Sequence, residues 1–315
     1  MKIPLLVIAG PTGVGKTASA VALARRAPLE VISADSRQVY RGMNVATGKP
    51  TPEEQAAVAH HLIDVVDPDE RYHVARFRAD ALEAIPEIRQ RGHLPVVVGG
   101  TGLYVRSLLK GLLPAPPADP TLRQELEARA NARGVPALHA ELAAMDPETA
   151  GRLHPNDRVR IIRAIEVRLR EQPSHRTQGR TAVWQHAKAP WHLLMVGLCQ
   201  SRDALARRIA ERARGMLVRG MMEEVRRLLD AGYGESLPSM GGIGYRQLSA
   251  VLAGRLSEDE ALRLMIRDTV RYAKRQMTWF ARDPEIRWID MDTAGGVEGA
   301  AERISKHVAQ EGLIE

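Results

Sequence analysis

The sequence predicts an α/β protein: a parallel-sheet core built on a phosphate-binding loop, with a mostly helical insertion domain. Three observations predict it. Short apolar runs alternate with helical stretches early in the chain, the first run leads into a glycine-rich loop, and a long middle stretch then carries no strand-like run before Trp191. Strand–helix–strand alternation is the pattern of a parallel sheet covered on both faces.

Five continuous apolar runs bounded by turn signals read as buried strands: Ile3–Ala9, Leu29–Ser33, Leu94–Val98, His192–Leu198 and Ile286–Asp290. Helices are expected over Lys16–Arg26, Val74–Arg91 and Thr101–Leu109. A proline-rich run from Leu113 then gives way to Asp119-Pro120, a capping residue with proline at the first helical position. Helical patterning follows until the polar run Gln172–Arg180. These breaks divide the chain into a core of residues 1–118 and 186–315 and an insertion of residues 119–185. Beyond His192–Leu198, helices return over Arg202–Arg214, Gly220–Ala231, Tyr245–Ala253 and Glu258–Arg282.

Composition excludes several classes. With 44% hydrophobic and 26% charged residues over 315 positions, the chain is not largely disordered. No run approaches the ~18–20 apolar residues of a membrane helix. The short apolar run from Met1 to Gly10 reads as a strand, not a signal peptide, because a functional loop follows it. Cys199 is the only cysteine, which excludes intrachain disulfides and multi-cysteine zinc sites and suits the cytoplasm. Nothing in the pattern demands a dimer, so a monomer is expected. Lys plus Arg is 45 against 38 acidic residues, a net charge of +7, and only 7 of the 45 are Lys. Arginine's planar fork suits phosphate and RNA, although coding composition gives the same bias and net charge does not separate the two.

Gly10-Pro11-Thr12-Gly13-Val14-Gly15-Lys16-Thr17 fits G-x-x-x-x-G-K-[ST] at every fixed position, between a strand and a helix. Its glycines let backbone N–H groups curl around a phosphate, the helix N-terminus adds partial positive charge, Lys16 adds a full one, and the Thr17 hydroxyl can ligate Mg²⁺. The pattern identifies diphosphate rather than ATP: the third strand ends in Gly99-Gly100-Thr101-Gly102, without the carboxylate that nucleotidases place there for Mg²⁺. Asp35 follows the second strand. Ligands bind beyond the carboxyl ends of parallel strands, so Asp35, the loop and Thr101 should line one crevice. There Asp35 can act as a general base or hold Mg²⁺ through water. His60-His61 with Asp64 and Asp67 looks like a metal cluster, but a short strand or loop with polar flanks explains it.

These segments resemble the tRNA dimethylallyltransferase (tRNA isopentenyltransferase) family in its bacterial form. The resemblance runs in order through the Gly10–Thr17 loop, Asp35-Ser36, Val39–Met43, Thr47-Gly48-Lys49-Pro50, His60–Asp64, Gly99–Tyr104, His154–Asp157, Arg163–Val167 and Gly244-Tyr245-Arg246. It implies transfer of the dimethylallyl group from dimethylallyl diphosphate to N6 of adenine 37 in the tRNA anticodon stem-loop, with Mg²⁺. It implies that the loop and Arg212 hold the diphosphate, and that Asp35, Thr101 and Lys16 serve the chemistry. It implies tRNA contacts at Asp35, Ser36, Arg37, Gln38, Thr101 and Arg123, at Val159, Arg160, Ile161, Ile162 and Arg163, and at Gly241, Gly242, Ile243, Gly244, Tyr245 and Arg246. The target base would flip out of the loop stack to reach the crevice. Arg37-Gln38 departs from the smaller or apolar residues of many relatives, and the zinc finger of eukaryotic members is absent. In the last long helix, Arg267, Arg271 and Lys274 are expected to form one stripe toward tRNA phosphates, with Met277, Trp279 and Phe280 in the core. The competing readings are a small-molecule kinase, which shares the loop and the acid after the second strand; an adenylate isopentenyltransferase, which would not need a basic insertion; and a non-enzymatic RNA-binding scaffold, against which an intact Lys16-Thr17 argues.

Overall fold

The computed structural model describes residues 2–112, 115–116, 118–170 and 190–314, so the expected polar exit of the insertion at 172–180 lies outside the described residues. Strands β1 (Ile3–Ala9), β2 (Leu29–Ser33), β3 (His60–His61), β4 (Leu94–Gly99), β5 (Trp191–Cys199) and β6 (Ile286–Asp290) form one sheet in the order β3-β2-β4-β1-β5-β6. Every pairing is parallel. Leu6 of β1 stands opposite Val96 on one side and Leu194 on the other. The strand is covered on both faces, which is why it reads as an unbroken apolar run.

The helices are α1 (Lys16–Ala24), α2 (Pro52–Ala57), α3 (Val74–Gln90), α4 (Gly102–Lys110), α5 (Pro120–Arg133), α6 (Val135–Met145), α7 (Pro147–Gly151), α8 (Arg158–Arg170), α9 (Arg202–Val218), α10 (Met221–Asp230), α11 (Tyr245–Leu252), α12 (Glu258–Phe280) and α13 (Gly296–Gln310). Leu5 and Val7 of β1 face a core shared with Phe77 and Ile85 of α3, Tyr104 of α4 and Leu248 of α11. Leu6 and Ile8, pointing the other way, meet Leu23 of α1 and Ile304 of α13. Side chains alternate across a strand, so adjacent residues feed opposite cores.

Two helices are not among those expected from the sequence, and the stretch at His60–His61, which reads as a short strand or a loop, is a strand. β3 is only two residues long. α2 starts with a full capping box between Thr51 and Glu54. α13 buries Ala300, Ala301, Ile304 and Val308 along one face. Trp279, expected in the core, is 38% exposed, while Phe280 is buried. The Trp279 indole lies over Gly102 instead, where only the lack of a side chain admits it: a Cβ there would lie 2.1 Å from Trp279 Cδ1.

The chain divides into two compact units, Met1–Gly111 with Ala187–Glu315, and Leu112–His186. The second begins earlier than the sequence break at 118/119 because its leading segment is tied inward: Arg163 Nη2 donates to Pro116 O at 2.8 Å. This unit has its own core of Leu126, Leu138, Leu142, Ile161, Ile162 and Ile165. Asp119 caps α5 by accepting from Thr121 N and Leu122 N at 3.0 and 3.1 Å. Fully buried Glu166 accepts from Arg123 Nη2 at 2.6 Å, Arg163 Nη1 at 2.8 Å and Asp119 N at 2.6 Å.

His61 spends its ring on Glu30, at the start of β2. The buried Glu30 carboxylate accepts from Arg91 Nε at 2.7 Å and Nη2 at 2.8 Å, and faces His61 Nε2 at 2.6 Å and His93 Nδ1 at 2.8 Å. The Arg91 hydrogen bonds lead in holding this carboxyl down at about 2, against the cost of burial. A depressed carboxylate pKa stabilises the fold above the ordinary value, and that stabilisation is lost as pH falls through it. Glu30→Gln should therefore cost about 2 kcal/mol at pH 7. In urea unfolding the gap between variant and wild type should narrow as pH falls from 4.5 toward 3, within the window set by the ordinary and depressed values.

Candidate active site

The carboxyl ends of β1, β2 and β4 deliver three loops to one edge of the sheet, the place where open parallel sheets bind ligands. The loop from Gly10 to Thr17 joins β1 to α1. Its first glycine has φ +145° and sits so close to the neighbouring strand that a Cβ would lie 2.5 Å from Leu198 O. Gly15, at φ +105°, turns the loop into the helix.

Lys16 Nζ lies over its own loop and donates to Pro11 O at 2.8 Å. Burial pushes its ammonium down to about 8; the charge of Asp35 opposes that shift and Arg212 adds to it. Arg212 of α9 reaches the same loop, donating from Nη1 to Thr12 Oγ1 at 3.2 Å. Burial lowers the Arg212 pKa as well, again against the pull of Asp35. Lys16, Arg212 and Asp35 thus share one electrostatic environment.

Thr101 Oγ1 accepts from Ser36 N at 3.2 Å, which ties the ends of β2 and β4 together. Asp35 is braced by its own turn, with Arg37 N donating to its Oδ1 at 2.8 Å. Tyr272 of α12 also bonds Thr101; burial leads in raising the phenol to about 12, with Asp35 pushing the same way.

A cavity of about 510 Å³ opens here, lined by Thr12, Asp35, Ser36, Arg37 and Arg212 on the loop side. Gly241, Gly242, Ile243 and Arg246 supply another wall, and Arg271, Tyr272 and Arg275 of α12 a third. Its size suits a small-molecule ligand.

The remaining expected site residues fall into distinct places. The Arg37 guanidinium is used in a tie: Nη1 donates to Pro238 O at 2.7 Å and to Ser239 O at 3.3 Å. Gln38 accepts from Ser33 Oγ at 3.0 Å and donates to Gly48 O at 3.1 Å. Gly244 and Tyr245 do not line the cavity, and the Tyr245 ring is in the core with 1% exposure. Arg246 donates to Asp268 Oδ2 at 2.5 Å. Arg123, Val159, Arg160, Ile161, Ile162 and Arg163 belong to the other unit. There Ile161 and Ile162 are core, Arg123 and Arg163 hold Glu166, and Val159 and Arg160 are exposed. The expected stripe on α12 divides: Arg271 lines the cavity, Lys274 does not, and Arg267 bonds Asp268.

Sequence reasoning missed Gln276. It is buried and bridges two of the three loops, accepting from Thr12 N at 2.8 Å and donating to Gly100 O at 2.9 Å. A Cβ on Gly100 would lie 2.1 Å from its Nε2. Only the sequence's buried-face spacing on α12 hinted at it; nothing local names its partners. Tyr272 was missed for the same reason.

A glycine-rich loop at a strand end, half-buried cations over it and one acid facing it define a diphosphate-handling enzyme of the phosphate-loop class. The comparisons with known proteins narrow this class. A family model described as IPP transferase matches residues 38–283, and one described as isopentenyl transferase matches residues 3–65. The chain is 49% identical to the tRNA dimethylallyltransferase of Geobacter sulfurreducens, over 92% of each chain. It is 46% identical to that of Thermomicrobium roseum, over 98% of this chain and 92% of the relative. Among solved structures, the full-length tRNA isopentenylpyrophosphate transferase of Bacillus halodurans matches with a TM-score of 0.70 and 40% identity, covering 99% of this chain and 98% of that one. A eukaryotic dimethylallyltransferase described as acting on tRNA matches with a TM-score of 0.79 and 26% identity, covering 98% and 79%. The chain belongs to the IPP transferase family.

Replacing Gln276 by Leu leaves the Thr12 N–H and the Gly100 carbonyl without their partner. The expected cost is about 2–4 kcal/mol of stability, from two backbone groups at roughly 1–2 kcal/mol each. Calorimetric titration with inorganic diphosphate should also show affinity weakened about tenfold, because the loop loses its brace. Unchanged affinity in folded protein would remove Gln276 from the site.

Proposed function

We propose that this chain transfers the dimethylallyl group of dimethylallyl diphosphate to N6 of adenine 37, beside the tRNA anticodon, giving N6-dimethylallyladenosine and diphosphate. One observation carries the reading. The relatives named for this reaction align with more than nine-tenths of the chain, a share that takes in the cavity lined by Asp35 and Arg212, with Lys16 and Thr101 on the adjoining loops.

The allylic C–O bond breaks with its electron pair going to the diphosphate, and the N6 lone pair forms the new C–N bond. The N6 proton leaves to an acceptor. We assign that acceptor to Asp35, whose carboxylate is held by the Arg37 N–H. Thr101 fixes the ends of β2 and β4 and contacts the base. Backbone N–H groups of the glycine loop, Lys16 and Arg212 offset the charge that develops on the leaving diphosphate. Because the allylic carbon becomes cation-like as the bond breaks, this stabilisation acts at the transition state. An exocyclic amine is a poor nucleophile, so orientation contributes more than basicity.

The family's divalent metal would be Mg²⁺ here. Thr17 would hold it through its hydroxyl, a single hard-oxygen ligand that does not enclose an ion. That fits Mg²⁺, which is ordinarily held by few protein ligands and would take its other oxygens from substrate phosphates and water. When bound, it would neutralise charge on the diphosphate.

For tRNA, the insertion supplies Arg160, two-thirds exposed and only loosely paired with Asp157 at 3.5 Å. Arg123, Ile161, Ile162 and Arg163 shape the α8 surface from within, and Val159 and Arg160 meet the anticodon loop. In the core, Ser36, Gly241, Gly242, Ile243 and Arg246 line the base's cavity, with Arg37, Gln38, Gly244 and Tyr245 holding that wall. No helix among the described residues is long and apolar enough to cross a membrane. We place the reaction in the cytoplasm and take the acting form to be a monomer.

Incubated with Mg²⁺, dimethylallyl diphosphate and unmodified tRNA, the protein should yield adenine with a five-carbon N6 substituent, read by mass spectrometry. Product from adenosine monophosphate alone would move the assignment to the free-nucleotide relatives. Asp35→Ala should lower kcat about 100-fold or more while tRNA affinity stays within a few-fold. A loss confined to affinity would remove Asp35 from the chemistry.

Arg160→Ala should weaken tRNA binding and reduce the slope of log Kd against log salt by about 0.7–0.9, the loss of one phosphate contact. Filter binding across a salt series reads both, and an unchanged slope would free Arg160 from phosphate.

A further inference from the structure

The segment from Val39 to Pro50 carries several family-like residues that the chemistry above does not use. In the structure it is a tight loop held from two sides. From within, Lys49 Nζ donates to Tyr40 O and Asn44 Oδ1, both at 2.8 Å, and to Asp64 Oδ1 at 2.5 Å. From outside, Glu224 of α10, itself 1% exposed, accepts from three successive backbone N–H groups: Asn44 at 2.9 Å, Val45 at 2.7 Å and Ala46 at 3.2 Å. The Tyr245 hydroxyl donates to the same carboxylate at 2.7 Å.

Every group facing Glu224 is a donor, so only a side chain that accepts with both oxygens satisfies them all. The residues beyond this grip are the ones that matter to the ligand. Ala46 and Thr47 line the cavity. Gly48, at φ +61°, lies flat against Arg212; a Cβ there would fall 1.6 Å from Nη2. Arg212 in turn reaches Thr12 in the diphosphate loop. Arg212 has a long flexible stem and, apart from this loop, is directed to Thr12 by a single 3.2 Å bond.

We propose that Glu224 is a positioning residue for the transfer reaction: by holding the backbone at residues 44–46 it sets Gly48 as the seat of Arg212 and so fixes the Arg212 guanidinium over the diphosphate. The inference rests on the transfer reaction proposed above. Glu224 does not touch substrate. It acts through a rigid turn, closed by Gly48 N donating to Val45 O at 3.0 Å and Lys49 N to Asn44 O at 3.1 Å.

Glu224→Gln tests it. An amide turns one acceptor into a donor, which then faces either the Asn44 and Val45 N–H pair or the Ala46 N–H and Tyr245 O–H pair. The expected result is a KM for dimethylallyl diphosphate raised tenfold or more, kcat lowered with it because Arg212 also meets the charge developing at the transition state, and tRNA affinity unchanged. Calorimetric titration with dimethylallyl diphosphate should show the same tenfold loss, a readout independent of turnover. Glu223→Gln removes the same charge from the exposed neighbouring residue and should leave KM as it was.

The loss should also vanish in an Arg212→Ala background, because two changes along one route are not additive. If Glu224→Gln does not fold, Glu224→Asp, which keeps both oxygens a methylene further back, should give the same pattern. Unchanged diphosphate affinity in a folded variant overturns the proposal, as does a loss that simply adds to that of Arg212→Ala. Wild-type protein that binds dimethylallyl diphosphate but makes no product on tRNA would overturn the reaction instead.

Discussion

Backbone meets backbone, without side chains between, at the carboxyl ends of the central strands, and the site depends on that approach. A Cβ on Gly99 would lie 2.1 Å from Ala34 O, and one on Gly10 would lie 2.5 Å from Leu198 O. Neither contact yields to a flexible side chain. Because β2, β4, β1 and β5 close up here, Asp35, Thr101 and the glycine loop emerge side by side. Gln276 and the Thr101 hydroxyl then lace the three loops across gaps of about one hydrogen bond.

A second consequence is electrostatic. Lys16 and Arg212 stand half-buried beside the strand ends, and desolvation lowers both pKa values. Arg37, Arg246, Arg271 and Arg275 add to the cationic lining. A site in this condition holds its cations at a cost that an incoming diphosphate offsets, and the low local dielectric strengthens each contact once water has left. Asp35 is the charge that opposes this lowering of pKa at both cations.

The sequence made legible whatever local spacing controls. The loop from Gly10 to Thr17 is fixed by its own residues, and strands covered on both faces announce themselves as apolar runs. Asp119-Pro120 marked the start of α5, which the structure caps as expected. Elements with weak local signals went unread: α13 begins at glycines with its apolar face spread over Ala300, Ala301, Ile304 and Val308. The cavity's supports were illegible for a different reason. Gln276 meets Thr12 across 264 positions and Glu224 meets Asn44 across 180, so no window of sequence contains both partners. Arg212 was found through family resemblance rather than pattern. Arg123 and Arg163 were legible as basic but not as partners of Glu166, because a buried carboxylate on a helix looks like any exposed one in sequence.

Two carboxylates line the cavity, and their surroundings divide their work. Asp268 accepts from Arg246, Gln247 and Arg267. Burial resists its ionisation, but the hydrogen bonds from Arg267 and Arg246 outweigh that and hold its pKa below the ordinary value. Its oxygens are committed to keeping α11 against α12. Asp35 accepts one backbone N–H, from the turn that aims it, and among the described residues no other hydrogen-bond donor takes its lone pairs. A carboxylate that must receive a proton, or orient the amine that loses one, needs that spare capacity. The fold supplies it by letting a neighbouring backbone, rather than a side chain, do the aiming.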